Sequence, residues 1–128
     1  MQAHRIPSIL HPMSKRRFAE GTWRTDPLFR RLCRAFLACS SEKEVRDFLR
    51  DVATLAELKA LSERLEVARL LLAGVSYREA AKCAPSSTAT VTRVASFLNG
   101  GEGGYRSVLK GHGHHHAPVR GEKMASKQ

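Results

Sequence analysis

Apolar residues recur at three- and four-residue steps through most of the middle of this chain, so helix is the expected element. The longest series is Leu55, Leu58, Leu61, Leu65, Ala68 and Leu72, with Val67, Leu70 and Leu71 as a second apolar flank. A helix apolar on two sides is central to a fold or covered by a partner. Thr54-Leu55-Ala56-Glu57 is a capping box that starts it, and Gly74 ends it as a C′ glycine. Ser76-Tyr77-Arg78-Glu79 is a second capping box, and a short helix is expected to about Cys83. Pro85 disfavours helical geometry at Ala84, and Ser87 can cap the helix that follows. In that helix Val91, Val94, Ala95 and Leu98 share one face, while Ala89, Thr92, Arg93 and Ser96 share the other. Asn99-Gly100-Gly101 closes it. Ala81 and Val91 stand where small and apolar side chains would let the two short helices cross closely. Short helix, tight turn and short helix make a helix-turn-helix, with a second helix small and polar outward, suited to a major groove.

Upstream, Asp26-Pro27 predicts a helix start, with Leu28, Leu32, Ala35, Phe36 and Cys39 as its stripe and Phe29 widening it. Ser41-Glu42-Lys43-Glu44 caps another helix, lined by Val45, Phe48, Leu49 and Val52. A last short helix is expected from Tyr105 to about Lys110. No alternating apolar run supports a strand, so the fold class is all-α. The expected organisation is one helical domain over residues 25–110, between disordered tails at 1–24 and 111–128. The first tail carries Pro7, Pro12 and Lys15-Arg16-Arg17, and Met13 is a second candidate start. A small all-helical core favours oligomerisation as a way to bury more surface. No run is apolar enough to span a membrane, and Pro7 and Ser8 interrupt Ile6 to Leu10, so neither a membrane span nor a signal peptide is expected. The expected location is the cytoplasm.

Charge alters this picture modestly. The chain carries +10, which suits a polyanion, nucleic acid being the commonest. Residues 1–24 hold +4 of this and 111–128 hold +2, so the helical part is only mildly basic. Three cysteines, Cys33, Cys39 and Cys83, form no C-x-x-C pair, which argues against a disulfide framework or a structural zinc site. Cys33 and Cys83 fall near apolar helix positions and are expected in the core. Gly111-His112-Gly113-His114-His115-His116 could take up a divalent metal incidentally, between flexible Gly and Pro flanks. No phosphate loop, His-Glu-x-x-His or paired-acid pocket is present, so an enzyme is not expected.

Two segments carry a more specific signal. Ala60-Leu61-Ser62-Glu63-Arg64-Leu65-Glu66-Val67-Ala68-Arg69-Leu70-Leu71 and Ser87-Thr88-Ala89-Thr90-Val91-Thr92-Arg93-Val94 resemble the YerC/YecD group of Trp repressor-related proteins. Asn99-Gly100-Gly101-Glu102-Gly103-Gly104-Tyr105 resembles that group's ending, and the likeness spans roughly residues 26–109. The resemblance implies an intertwined homodimer, with N-terminal helices of one chain packed on the other. Two reading helices would then face a roughly palindromic duplex site about one DNA turn apart.

The candidate DNA contacts follow from both routes. Thr88, Ala89, Thr92 and Arg93 are expected to face outward, and Arg78, in the first turn of the preceding helix, could reach a phosphate or a guanine edge. Arg78, Thr88, Ala89 and Thr92 match DNA-facing positions of the resembled family. Ser86 and Ser87 could donate to phosphates. The resemblance also places Arg64 and Arg93 where the Trp repressor holds its corepressor, with Thr54 at a loop contact. Two departures weigh against tryptophan: Val94 replaces a glycine and Phe97 a serine. Phe97 lies one turn beyond Arg93, where its ring could fill the pocket as a plug. Pro85 is a third departure, at a position where the motif has a glycine with positive φ; proline prefers φ near −65°. The expected function is a sequence-specific, dimeric DNA-binding regulator that needs no cofactor. The alternative is a helical protein-interaction module with a degenerate motif.

Overall fold

The computed structural model describes residues 17–112. Six α-helices and one 3-10 turn make up the described chain: α1 (Pro27–Ala38), α2 (Glu42–Val52), α3 (Leu55–Leu72), α4 (Tyr77–Cys83), α5 (Thr88–Gly100) and α6 (Gly104–His112), with the turn at Trp23–Thr25. No strand occurs among the described residues. The described helices group into two compact units, one ending at Leu49 and one beginning at Arg50.

The first unit is built from caps and rings. The Asp26 carboxylate accepts from Phe29 N at 2.9 Å, and Pro27 occupies the first helical position, where its missing N–H costs nothing. Ser41 Oγ accepts from Glu44 N at 3.2 Å. Glu44 reaches back one residue further than a standard box, accepting from Ser40 N at 2.5 Å and Ser40 Oγ at 2.9 Å. These bonds hold the Glu44 carboxyl below the ordinary carboxylate value, the backbone N–H first and the hydroxyl second. Phe36 and Phe48 meet edge-on at 5.3 Å. The stretch assigned to a basic tail enters this unit from Phe18: Phe18 and Trp23 each lie 5.8 Å from the Phe29 ring. Residues 1–16, with Met13 and Lys15-Arg16, lie outside the described residues, as do 113–128.

The second unit holds every buried residue of the described chain. Val67, Ala68 and Leu70 of α3 pack with Ala80 and Ala84 beside α4, and with Val91, Val94 and Leu98 of α5. Tyr105 and Leu109 of α6 lean on this core, and Arg106 Nε donates to Leu98 O at 3.2 Å, tying α6 to the end of α5. The two apolar sides of α3 are buried unequally. The second flank supplies Val67 and Leu70 to the core, whereas Leu55, Leu61, Leu65 and Leu72 of the longer series remain exposed. Ala80, fully buried, takes the close-packing place expected for Ala81, which is half-buried. Cys33 and Cys83 are exposed rather than core, and Cys39 is half-buried with its Sγ donating to Ala35 O. Within a single chain the stripes that carry them are not fully covered.

Two turns end α3 and α4 in the same way. After α3, Val75 N donates to Leu70 O and Gly74 N to Leu71 O, with Gly74 at φ +90°. That is a complete Schellman closure. After α4, Ser86 N donates to Ala81 O at 3.0 Å, the same outer bond. Its C′ residue is Pro85, which has no N–H for the inner bond and is held at φ +20°, far from the proline optimum. The turn at this departure therefore keeps the outer bond of the closure, and the backbone at Pro85 carries the strain.

Candidate nucleic-acid interface

The helix-turn-helix is assembled from three local decisions. Ser76 Oγ accepts from Glu79 N at 3.2 Å and starts α4. The Pro85 turn reverses the chain. Ser87 Oγ then accepts from Thr90 N at 3.1 Å and starts α5. Val91, Val94, Ala95 and Leu98 bury the inner side of α5, as their spacing predicts. The opposite side is thereby turned to solvent: Thr88, Ala89, Thr92, Arg93 and Ser96 are all exposed.

The candidate residues differ in what they have left to offer. Arg78 is exposed and has no ion pair or hydrogen bond among the described residues, so its full fork of donors is free. Thr92 Oγ1 donates to Thr88 O at 2.9 Å, which leaves the hydroxyl oxygen only an acceptor to offer. Ser87 is occupied as a cap, with its hydroxyl 3.0 Å from Thr90 Oγ1. Ser86 is half-buried and donates to Ala84 O at 3.1 Å, so it is a turn residue first. Lys82, one turn beyond Arg78 on α4, is exposed and was missed by the sequence reading. The i, i+4 spacing from Arg78 was the available signal.

Arg64 and Arg93 do come together. They line one open cleft of about 470 Å³ with Leu65, Phe97, Tyr105 and Val108. The Arg93 guanidinium lies over the Phe97 ring, 5.0 Å from its centroid. Thr54 is not part of this cleft: its hydroxyl accepts from Glu57 N at 3.1 Å and donates to Glu57 Oε1 at 3.0 Å, as the cap of α3. Among the described residues no group of three or more His, Cys, Asp or Glu could hold a metal. The side chains of the His-rich run lie outside the described residues. No described helix is long and apolar enough to cross a membrane.

Six helices among the described residues, with α4 and α5 packed on the longest of them, set the frame for comparison with known proteins. The Trp repressor protein family matches residues 28–112, and the chain belongs to that family. It is 36% identical over 78 residues to the uncharacterized protein YerC of Bacillus subtilis, a match covering 61% of this chain and 75% of YerC. Among solved structures it is similar to a TrpR-like protein from Eubacterium eligens, with a TM-score of 0.65 and 37% identity. That match covers 67% of this chain and 89% of the other. A provisionally assigned Trp repressor from Staphylococcus aureus is also similar, with a TM-score of 0.63 and 31% identity over 65% of this chain and 83% of its own.

Proposed function

We propose that this chain is a sequence-specific, DNA-binding transcription regulator that works as a homodimer and lays α5 in the major groove. The observation that carries the reading is the division of α5 into a buried apolar side and an exposed small, polar side, beside the unpartnered Arg78. Arg78 is the residue assigned to a base edge, because a free guanidinium can pair both acceptors of guanine. Ser87, Thr88, Ala89, Thr92 and Arg93 form the surface along the groove, with Ser86 and Lys82 directed to phosphates. The exposed leucines of α3 favour a second copy of the chain as their cover. A two-fold dimer calls for a near-palindromic site. The protein is read as cytoplasmic and without catalytic activity.

The cleft bears on whether a corepressor is needed. Arg93 already stacks on Phe97, so the ring stands in for an aromatic ligand, and DNA binding is expected without added tryptophan. Genomic fragments selected on the purified full chain at near-physiological salt test both points. A palindromic motif recovered without ligand supports the reading. Recovery only with tryptophan would overturn the corepressor-free part, and no motif under either condition would overturn the whole. A second reading, a protein-interaction module with a degenerate motif, draws on the strained turn at Pro85. Competition discriminates: a module binds its best fragment no more tightly than bulk DNA.

A further inference from the structure

The reading helix is not the most positively charged element of the chain. Helix α1 carries Arg30, Arg31 and Arg34 and no acid anywhere in its twelve residues. All three arginines are exposed, and none makes an ion pair or side-chain hydrogen bond among the described residues. Helices α2 and α3 neutralise part of their charge locally: Lys43 pairs with Asp47 on α2, Lys59 with Glu63 and Arg69 with Glu66 on α3. Three of the acids flanking α1 in sequence are already engaged, whereas Glu20 and Glu42 are exposed without an ion pair among the described residues. Asp26 caps α1 itself, Glu44 is bound to Ser40, and Asp47 holds Lys43. Glu42 and Asp51 are matched in number by Arg46 and Arg50 on the same helix. Arg30 and Arg34 stand four apart and Arg31 and Arg34 three apart, so like charges adjoin on the helix surface and work against it.

We infer that this face of α1 binds the phosphate backbone of duplex DNA, as a second contact surface distinct from α4 and α5. The inference rests on the proposed DNA binding. The chemistry is a row of guanidinium forks directed at phosphate oxygens, which adds affinity without reading sequence. The contact of such a face with DNA relieves the repulsion that it carries in the free protein.

The test compares the full-length wild type, the R30Q/R31Q/R34Q variant and Arg78→Ala on the selected site and on a scrambled duplex, from 50 to 300 mM salt. The triple variant should lose about 10- to 100-fold in affinity on both duplexes alike, with the salt slope shallower by about 0.9 for each phosphate contact removed. Its site preference should be retained, whereas Arg78→Ala should lose preference with little change in slope. Unchanged affinity and slope in the triple variant, alongside a loss in Arg78→Ala, would overturn the α1 surface and leave the proposed function standing. Absence of site preference in the wild type would instead be failure of that function. Sedimentation of the triple variant as a smaller species would assign the face to contact between copies and overturn the inference. So would loss of binding to anionic phospholipid vesicles with DNA binding intact.

Discussion

The two flanks of α3 are both apolar and largely meet opposite fates. One side gives Val67 and Leu70 to a closed core with α4 and α5, fully or nearly fully buried. The other leaves Leu55 65% and Leu61 51% exposed. Side chains of one type thus contribute to folding on one flank and remain available for association on the other. The hydrophobic effect rewards area removed from water wherever the cover comes from. The difference teaches that the inner flank is set by the sequence-local α4–α5 pair, while the outer one is left uncovered within the single chain.

The largest expected effect lies on the inner flank. Leu70→Ala should lower the unfolding free energy by about 2–5 kcal/mol, from lost burial and the cavity left behind. The matched change Leu61→Ala should cost well under half as much at low protein concentration, and denaturant titration of both checks this. Equal losses would break the comparison. Leu61→Glu sharpens it from the other side. Helical content should persist while the sedimentation coefficient falls to that of a monomer, with DNA affinity falling too. An unchanged assembly state would assign the outer flank to solvent.

A smaller effect should come from the turn that folds α4 and α5 onto the inner flank. Pro85→Gly restores the missing N–H and the freedom for positive φ, at the cost of unfolded-chain entropy, for a net gain of about 1 kcal/mol. That corresponds to a rise in Tm of about 4–8 °C. Gly74→Ala, at φ +90°, should destabilise by about 1 kcal/mol. A fall in Tm for Pro85→Gly would show that the proline is not strained.

The smallest effect belongs to the polar edge of α3. Arg69 holds Glu66 through two bonds, at 2.7 and 3.0 Å, and this hydrogen bonding keeps the Glu66 carboxyl below the ordinary carboxylate value. The folded value is depressed, so the stabilisation is present above the unfolded value and lost as pH falls through the folded one. Both side chains are more than a third exposed, which limits the pair to a few tenths of a kcal/mol. Glu66→Gln should remove that acid-dependent increment and change little at neutral pH, as thermal melts across the carboxylate range would register.

Much of the candidate site was legible because it is made by short-range rules. Asp26, Thr54, Ser76 and Ser87 each cap the helix that their spacing predicts, and each accepts from the N–H three residues on. The buried side of α5 follows from four apolar residues at helical intervals. What stayed hidden depends on distant neighbours. Periodicity reported two apolar sides of α3 without ranking them, because the ranking is made by where α4 and α5 return.

The sequence by itself determined the six helices, their caps, the basic excess and the family, since capping, periodicity and motif spacing are properties of contiguous residues. Only the tertiary structure decided that Leu70 is core and Leu61 surface. It also decided that Arg93 rests on Phe97 beside Arg64 while Thr54 remains a cap, and that Pro85 is held at a glycine's angle. The first of those outcomes is fixed by packing of α3 against α4 and α5, elements more distant in the chain, where local periodicity is overruled by the burial of common surface.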